Sequence, residues 1–208
     1  SWSVNPYRGC EHACAYCYAR PTHEYLGFGA GSDFERRLVV KRNAAELLER
    51  ALRRRSWAGE FLAFSGITDC YQAVEASYEL TRRCLQVCLR HRNPVAIVTK
   101  GTMIERDLDI LAPMARDGLV RVGLSVTTLD PDLARRMEPR APAPARRLAR
   151  TAKAHPRSPG ARGRCRRRAR FRPRPPRGCR GRSGPRDPRI PALSQARRHG
   201  ATRRQYLP

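Results

Sequence analysis

The chain has 208 residues and a formal net charge of +25 at pH 7, a length that suits one domain with a proper core rather than two. No apolar run is long enough to cross a bilayer, and the first residues lack the charged-then-apolar pattern of a signal peptide, so we expect a cytoplasmic protein that does not enter membranes. Eight cysteines in such a chain are expected to be reduced thiols rather than a disulfide framework.

The basic residues are distributed unevenly. Residues 1–150 hold 24 Lys and Arg against 17 Asp and Glu, whereas residues 151–208 hold 19 against 1. The second segment has no Val, one Phe and nine Pro, so it cannot bury enough apolar surface to offset its ordering entropy. We expect a folded domain over residues 1–149 and a disordered tail rich in Arg, Pro and Gly over residues 150–208.

Three cysteines near the start of the chain, Cys10, Cys14 and Cys17, are spaced C-x3-C-x2-C. Thiolates are the ligands that iron–sulfur clusters need. A [4Fe–4S] cluster takes four ligands, so three cysteines would leave one iron open to another molecule. Structural zinc sites usually draw pairs of ligands from two places in a chain, and zinc here would need His12 or a remote residue as its fourth ligand.

Further along the chain, three stretches have the apolar spacing of amphipathic helices. The first follows Asn43, a natural N-cap, and the second covers residues 74–88 and ends before an Asn-Pro pair. The third follows Leu108 and closes at Gly118, which suits the left-handed conformation at a helix C-terminus.

Short apolar runs predict four strands, at residues 2–4, 61–64, 95–98 and 120–126. Continuous apolar strands that alternate with amphipathic helices indicate a parallel α/β sheet or barrel. In such folds the chemistry gathers at the carboxyl ends of the strands. The polar groups expected at that edge are the cysteine loop, residues 65–69, Lys100, Ser125 and Thr127.

The remaining cysteines of the domain need a separate interpretation. Cys84 and Cys88 are four residues apart on the second predicted helix, where we expect small buried apolar groups rather than ligands. Cys70 directly follows the end of a strand, and its role stays open.

The cysteine spacing, with the aromatic Tyr16 just before the third cysteine, resembles the cluster motif of the radical S-adenosylmethionine (SAM) superfamily. Further stretches are similar to the bacterial branch related to spore photoproduct lyase. They are NPYRGC at 5–10, CYAR at 17–20, IVTK at 97–100, SVTTL at 125–129 and RMEPR at 136–140. The resemblance covers about residues 1–149.

This resemblance implies a partial (β/α)6 barrel, truncated after about the fourth strand. Cys10, Cys14 and Cys17 would hold three irons of a [4Fe–4S] cluster, and SAM would chelate the fourth. One electron would cleave SAM to methionine and a 5′-deoxyadenosyl radical, which abstracts hydrogen from an unidentified substrate, in a lyase or other SAM-radical reaction. The implied partners are a one-electron reductant such as a flavodoxin or ferredoxin and, by analogy with thymine-dimer repair, a nucleic-acid substrate.

The same resemblance nominates six residues for binding SAM. They are Tyr16, Thr68, Asp69, Ser125, Thr127 and Arg140. Thr68 and Asp69 follow the second strand, where superfamily members hold the amino group of SAM. The last three are candidates for its ribose and carboxylate. Position 70 departs from the relatives, which commonly carry Pro there.

The family pattern would continue past residue 149 into a fifth strand, which this chain lacks. A GC-rich gene read out of register yields Arg, Pro, Ala and Gly, so we favour a frameshift near 149–151 over an evolved basic arm. Without the closing strands one parallel edge would stay unpaired. We therefore expect this copy to be unstable, aggregation-prone and inactive, although its intact homologue would be an enzyme.

Two other functions stay open beside a radical SAM enzyme. A nucleic-acid-binding protein, with a basic tail on the phosphates and a structural metal cluster, would lose affinity steeply with salt. A zinc-binding module would take up zinc and show no absorption from iron–thiolate charge transfer.

Overall fold

A parallel β-sheet with helices packed on it is the framework of the fold. The computed structural model describes residues 2–154 and 205–206, and the side chains of residues 2–149. The elements in chain order are β1 (Trp2–Val4), β2 (Tyr7–Arg8), a 3₁₀ helix (Arg20–Leu26), α1 (Asp33–Arg36), β3 (Val39–Val40), α2 (Ala44–Leu52), β4 (Leu62–Phe64), α3 (Glu75–Tyr78), α4 (Leu80–Arg90), β5 (Val95–Thr99), a second 3₁₀ helix (Met103–Asp107), α5 (Leu108–Arg116), β6 (Val120–Leu124), α6 (Pro131–Met137), α7 (Pro144–Ala154) and β7 (Gln205–Tyr206).

The main sheet has the strand order β6-β5-β4-β1-β7, and every pairing in it is parallel. A separate antiparallel ladder joins β2 to β3. Phe64 is in register with Val4 on one side and Ile97 on the other, and Thr99 is in register with Leu124. The carboxyl ends of β1, β4, β5 and β6 therefore share one edge. This confirms the predicted α/β class and its four parallel strands, and it is consistent with the partial barrel that the resemblance implies.

Helices α2, α4 and α5 cover one face of the sheet, and the core lies between them. Alternate strand residues such as Leu62, Val95 and Ile97 are almost completely buried there. Cys84 and Cys88 of α4 are buried in the same core, which confirms their prediction as small apolar groups. Since burying one large apolar side chain contributes about 1.5–3 kcal/mol, this layer fixes the strands whose ends carry the polar residues.

The helices depart from the sequence predictions in two places. The helix predicted over residues 74–88 is interrupted between α3 and α4, because Glu79 adopts a left-handed backbone with φ of 51°. Asn43 precedes α2 as expected, but its side chain makes no capping hydrogen bond. Gly118 follows α5 with φ of 70°, as predicted.

The two edges of the sheet differ. Within the described residues β6 is unpaired on its outer side, and apolar side chains on β5 and β6 are open to solvent, Val98 at 55% and Val122 at 47%. At the other edge β7 pairs with β1. Both β7 and the end of α7 fall within residues 150–208, predicted to be disordered throughout. The edge of β1 offers backbone groups for this short strand to pair with, and the boundary between a folded domain and a disordered tail stays a prediction.

The rest of the predicted tail, with the proposed frameshift product, lies outside the described residues. The described residues, 2–154 and 205–206, belong to one compact unit. In the part of the chain that the structure describes, none of the helices combines the length and the apolar character needed to span a bilayer.

Candidate functional site

The cysteine loop, Cys10 to Cys17, winds through consecutive turns after β2. Gly9 leads into it with φ of 79°, and a Cβ at this position would lie 2.7 Å from the carbonyl oxygen of Phe34, so only glycine fits. The Cys10 amide donates to that same carbonyl at 2.8 Å, and the Cys17 amide donates to the Cys14 carbonyl at 3.3 Å. The three cysteines therefore lie in one short segment made of turns.

The three thiols suit an iron–sulfur cluster by their chemistry. All are free, Cys10 and Cys14 are buried, and Cys17 is half-buried. Burial raises the pKa of Cys14 to about 11, while the Lys100 ammonium acts in the opposite direction. Within residues 2–149 no three His, Cys, Asp or Glu side chains already converge on a metal-binding point. The assignment of these ligands therefore rests on donor type and spacing.

Arg20, which follows the loop, holds it in shape. Its guanidinium donates to the Cys14 carbonyl at 3.2 Å, to the Gly31 carbonyl at 2.9 Å and to the Glu35 carboxylate at 3.0 Å. Arg20 belongs to the stretch CYAR at 17–20, but the sequence alone predicts no role for it. Three hydrogen bonds from one planar group explain why an arginine suits this position.

Asp69, one of the predicted SAM-binding residues, is tied to the cysteine loop through His12. Its carboxylate lies 3.3 Å from His12 Nδ1 and accepts hydrogen bonds from the Thr99 hydroxyl at 2.5 Å and the Lys100 amide at 2.7 Å. Burial alone would raise the pKa of Asp69, but the hydrogen bonds from His12 and Thr99 hold that pKa below its usual value. Burial alone would lower the pKa of His12, yet Asp69 and Cys10 raise it to about 10.

Thr68, the neighbouring predicted residue, is also engaged inside the protein. It is 4% exposed, and its hydroxyl donates to the Tyr7 carbonyl at 3.1 Å. Cys70 is 1% exposed, and burial raises its thiol pKa well above the ordinary value. Thr68 and Asp69 thus lie beside the cysteine loop with their side chains already bonded, and their role toward SAM stays a prediction.

Tyr16 and Thr127, two further predicted site residues, are in direct contact although they are 111 positions apart. Their hydroxyl oxygens are 2.9 Å apart, and both hydroxyls donate to the carboxylate of Glu138, that of Thr127 at 2.6 Å. Lys100 Nζ lies 3.8 Å from the same carboxylate oxygen and 5.7 Å from the centre of the Tyr16 ring. The loop and the carboxyl ends of β5 and β6 therefore converge on Glu138.

Glu138 and Lys100 both carry their charges at neutral pH. Burial would raise the pKa of Glu138, but hydrogen bonds from Thr127, Tyr16 and Arg147 lower it. Burial would lower the pKa of Lys100, but electrostatic interactions with Cys14, Tyr16 and Glu138 raise it. A cation therefore stands beside Cys14, where it favours negative charge on the thiolates of the loop.

Ser125 and Arg140, the last two predicted residues, bond to different parts of the site. Ser125 follows β6, and its amide donates to the Thr99 carbonyl at 2.8 Å. The Arg140 amide donates to the His12 carbonyl at 3.4 Å, and Arg140 lines a cavity of about 250 Å³ together with Glu11 and His12. The exposed guanidinium of Arg140 is thus available next to the cysteine loop.

Two residues that sequence reasoning missed join distant parts of the site. Glu138 collects the contacts described above, and the buried side chain of Gln72 bonds the loop by accepting from the Glu11 amide at 2.8 Å and donating to the Gly9 carbonyl at 3.1 Å. Glu138 carries the only carboxylate of the quoted stretch at 136–140, which is the one sequence signal that pointed to it.

Comparison with known proteins reveals several relatives of uncharacterized function. Proteins of Mycobacterium bovis and Mycobacterium tuberculosis, both called uncharacterized, are 45% identical over 148 residues, which is 71% of this chain and 44% of each relative. An uncharacterized protein of Acidianus two-tailed virus is 30% identical over 158 residues, 74% of this chain and 51% of that protein.

These matches cover about half the length of the curated relatives. No solved structure shows a significant match to the chain. The family model described as the radical SAM superfamily matches residues 4–159, which include the cysteine loop, the strands β4, β5 and β6, and Glu138. The chain belongs to the radical SAM superfamily.

Proposed function

We propose that this chain is a radical SAM protein whose Cys10, Cys14 and Cys17 ligate a [4Fe–4S] cluster and leave one iron for SAM. The observation that carries the proposal is the loop itself, with three free thiols at the carboxyl edge of a parallel sheet in a member of this superfamily. A reduced cluster, when bound, supplies the electron that cleaves SAM to methionine and a 5′-deoxyadenosyl radical.

The chain's own residues then have distinct tasks. The Lys100 ammonium lies near Cys14 and balances negative charge on the thiolates. Arg140 presents an exposed guanidinium beside His12, and such a group suits the carboxylate of SAM because it can donate two parallel hydrogen bonds. Ser125 and Thr127, at the end of β6, are suited to hydrogen-bond the ribose. Tyr16 is suited to contact the cofactor through its ring, since Glu138 and Thr127 fix its hydroxyl.

Thr68 and Asp69 are proposed to shape the pocket for the amino group of SAM. Their side chains bond to Tyr7, His12, Thr99 and the Lys100 amide. Because these bonds orient the segment after β4, its backbone carbonyls can accept from an ammonium group. We therefore assign them to this position on the strength of their location beside the loop.

The proposal extends to the branch of the superfamily, the reductant and the substrate. The quoted sequence stretches favour the branch related to spore photoproduct lyase, with a flavodoxin-like or ferredoxin-like reductant and a nucleic-acid substrate. The frameshift near 149–151 and the inactivity of this copy also stay predictions. Sequencing the gene across codon 150 tests the frameshift: a shifted frame that reads as an apolar α/β continuation supports it, and one that does not rejects it.

Anaerobic reconstitution with iron and sulfide tests the proposed cofactor. We expect the full chain to gain equal amounts of iron and sulfide and a broad thiolate-to-iron absorption, and a variant with Cys10, Cys14 and Cys17 all replaced by Ala to gain neither. The Cys84→Ala variant is the matched control, because this thiol is buried in the core and should leave cluster uptake unchanged. Zinc uptake without that absorption would identify a zinc-binding module instead.

A further inference from the structure

Glu138 and Arg147 form a buried ion pair beside the cysteine loop. They are 3% and 1% exposed, and Arg147 Nη2 lies 2.5 Å from Glu138 Oε2. Arg147 also donates to the Ser125 carbonyl at 2.7 Å and to the Pro142 carbonyl at 2.6 Å. Burying two charges is costly unless further hydrogen bonds satisfy them, and this pair has such bonds on every side.

The second oxygen of Glu138 faces the loop. Its Oε1 accepts from the Tyr16 and Thr127 hydroxyls and lies 3.8 Å from Lys100 Nζ. One carboxylate therefore joins the loop between Cys14 and Cys17 to the ends of β5 and β6, while Arg147 anchors it to α7.

Two backbone hydrogen bonds flank this contact. The Ala15 amide donates to the Met137 carbonyl at 2.9 Å, and the Arg140 amide donates to the His12 carbonyl at 3.4 Å. The loop is thus hydrogen-bonded to the segment around Glu138 at three points, twice through the backbone and once through the Tyr16 hydroxyl.

We propose that Glu138, held by Arg147, is a positioning residue that fixes the Cys14 to Cys17 half of the loop through the Tyr16 hydroxyl. The inference rests on the proposed function, because it assumes that this half of the loop carries cluster ligands. Its direct consequence is independent of any cofactor: without the carboxylate or the hydroxyl, the loop opens more often while the sheet stays intact.

Hydrogen exchange on the full, iron-free chain tests that consequence. We expect Ala15 amide exchange to become at least about tenfold faster in Glu138→Gln and in Tyr16→Phe, as for the loss of a hydrogen bond to a charged group. Amides of β5 should keep their protection. Tyr16→Phe removes one hydroxyl from a side chain that is 46% exposed, so this variant is expected to fold even where a change at Glu138 is not tolerated.

Asp107→Asn is the matched control for a buried ion pair with a structural role only. Asp107 is fully buried and bonds to Arg82 at 3.0 Å and to Arg106 at 2.8 Å. Its change should affect Ala15 exchange no more than exchange in β5. The inference is overturned if Tyr16→Phe leaves Ala15 exchange unchanged, or if Asp107→Asn loosens the loop as much as Glu138→Gln does.

A second readout links the contact to SAM. In the reconstituted chain we expect Glu138→Gln and Tyr16→Phe to keep the wild-type iron and sulfide content but to raise the Kd for SAM at least about tenfold. Equal Kd values at equal iron content would overturn the inference. If the wild-type chain takes up no cluster, the proposed function fails, and the exchange experiment still decides whether Glu138 positions the loop.

Discussion

Replacing Asp69 by Asn should destabilise the protein strongly, because this carboxylate joins three elements of the fold. It accepts hydrogen bonds from the Thr99 hydroxyl, the Lys100 amide and the Tyr71 amide at 2.5, 2.7 and 2.9 Å, and it pairs with His12. An amide of the same size loses the charge and turns an NH₂ group toward one of these donors.

The expected loss follows from these contacts. Hydrogen bonds to charged groups contribute about 1.5–3 kcal/mol each, and breaking a buried charged pair costs about 3–5 kcal/mol. Since Asn keeps one acceptor oxygen, we expect the free energy of unfolding to fall by about 2–4 kcal/mol. Urea unfolding of the full chain, followed by far-ultraviolet circular dichroism, measures this difference.

The matched control is Asp109→Asn. This carboxylate also pairs with an arginine, at 2.6 Å from Arg82, but its side chain is 58% exposed, so solvent screens the pair. We expect its unfolding midpoint to stay close to that of the wild type. A shift for Asp69→Asn that is no larger than the shift for Asp109→Asn would refute the reasoning.

The same carboxylate predicts a dependence on pH. The pKa of Asp69 in the folded protein is held below its ordinary value of 3.8. The stability from its ionised form is therefore complete above that value and is lost as the pH falls through the lower, folded-state pKa. The difference in stability between the wild type and Asp69→Asn should shrink on acidification below about pH 4, and a difference that grows there would contradict the sign of the shift.

Two further predictions concern packing. In Gly101→Ala the added Cβ would lie 2.4 Å from the Tyr71 carbonyl oxygen, so the backbone must move and we expect a lower Tm by calorimetry. Gly118→Ala is the control for backbone conformation alone, because a Cβ there meets nothing within 4 Å but φ is 70°. An equal loss of Tm in both variants would reject the steric explanation. Cys84 and Cys88 are fully buried, and burial raises the pKa of Cys88 to about 12, so neither should react with iodoacetamide in the folded chain at neutral pH. Mass spectrometry of the labelled peptides checks this, and labelling of Cys88 as fast as in urea would contradict it.

Much of the fold follows from local patterns in the sequence. Continuous apolar runs predict the parallel strands, and Gly118 marks the end of α5, because both depend on neighbouring residues alone. The break at Glu79 was missed since it depends on a left-handed backbone at a residue that normally continues a helix. The pairing of β7 with β1 was missed for a similar reason, as nothing in an Arg-rich segment favours a strand.

In the candidate site, too, the features set by neighbouring residues can be predicted from the sequence, and the contacts between distant residues cannot. The cysteine spacing predicts three ligands because the cysteines lie within eight residues of each other. The contact between Tyr16 and Glu138 spans 122 positions and depends on how β6 and α6 fold back over the loop. The sequence predicts Tyr16 and Thr127 as two separate site residues, and only the structure shows that one buried carboxylate joins them.

Electron paramagnetic resonance of the reduced, reconstituted chain tests the central claim most directly. If three cysteines hold the cluster and one iron is open, adding SAM should change the g values of the reduced cluster, because SAM becomes a ligand of that iron. A reduced cluster whose spectrum is identical with and without saturating SAM would contradict the account.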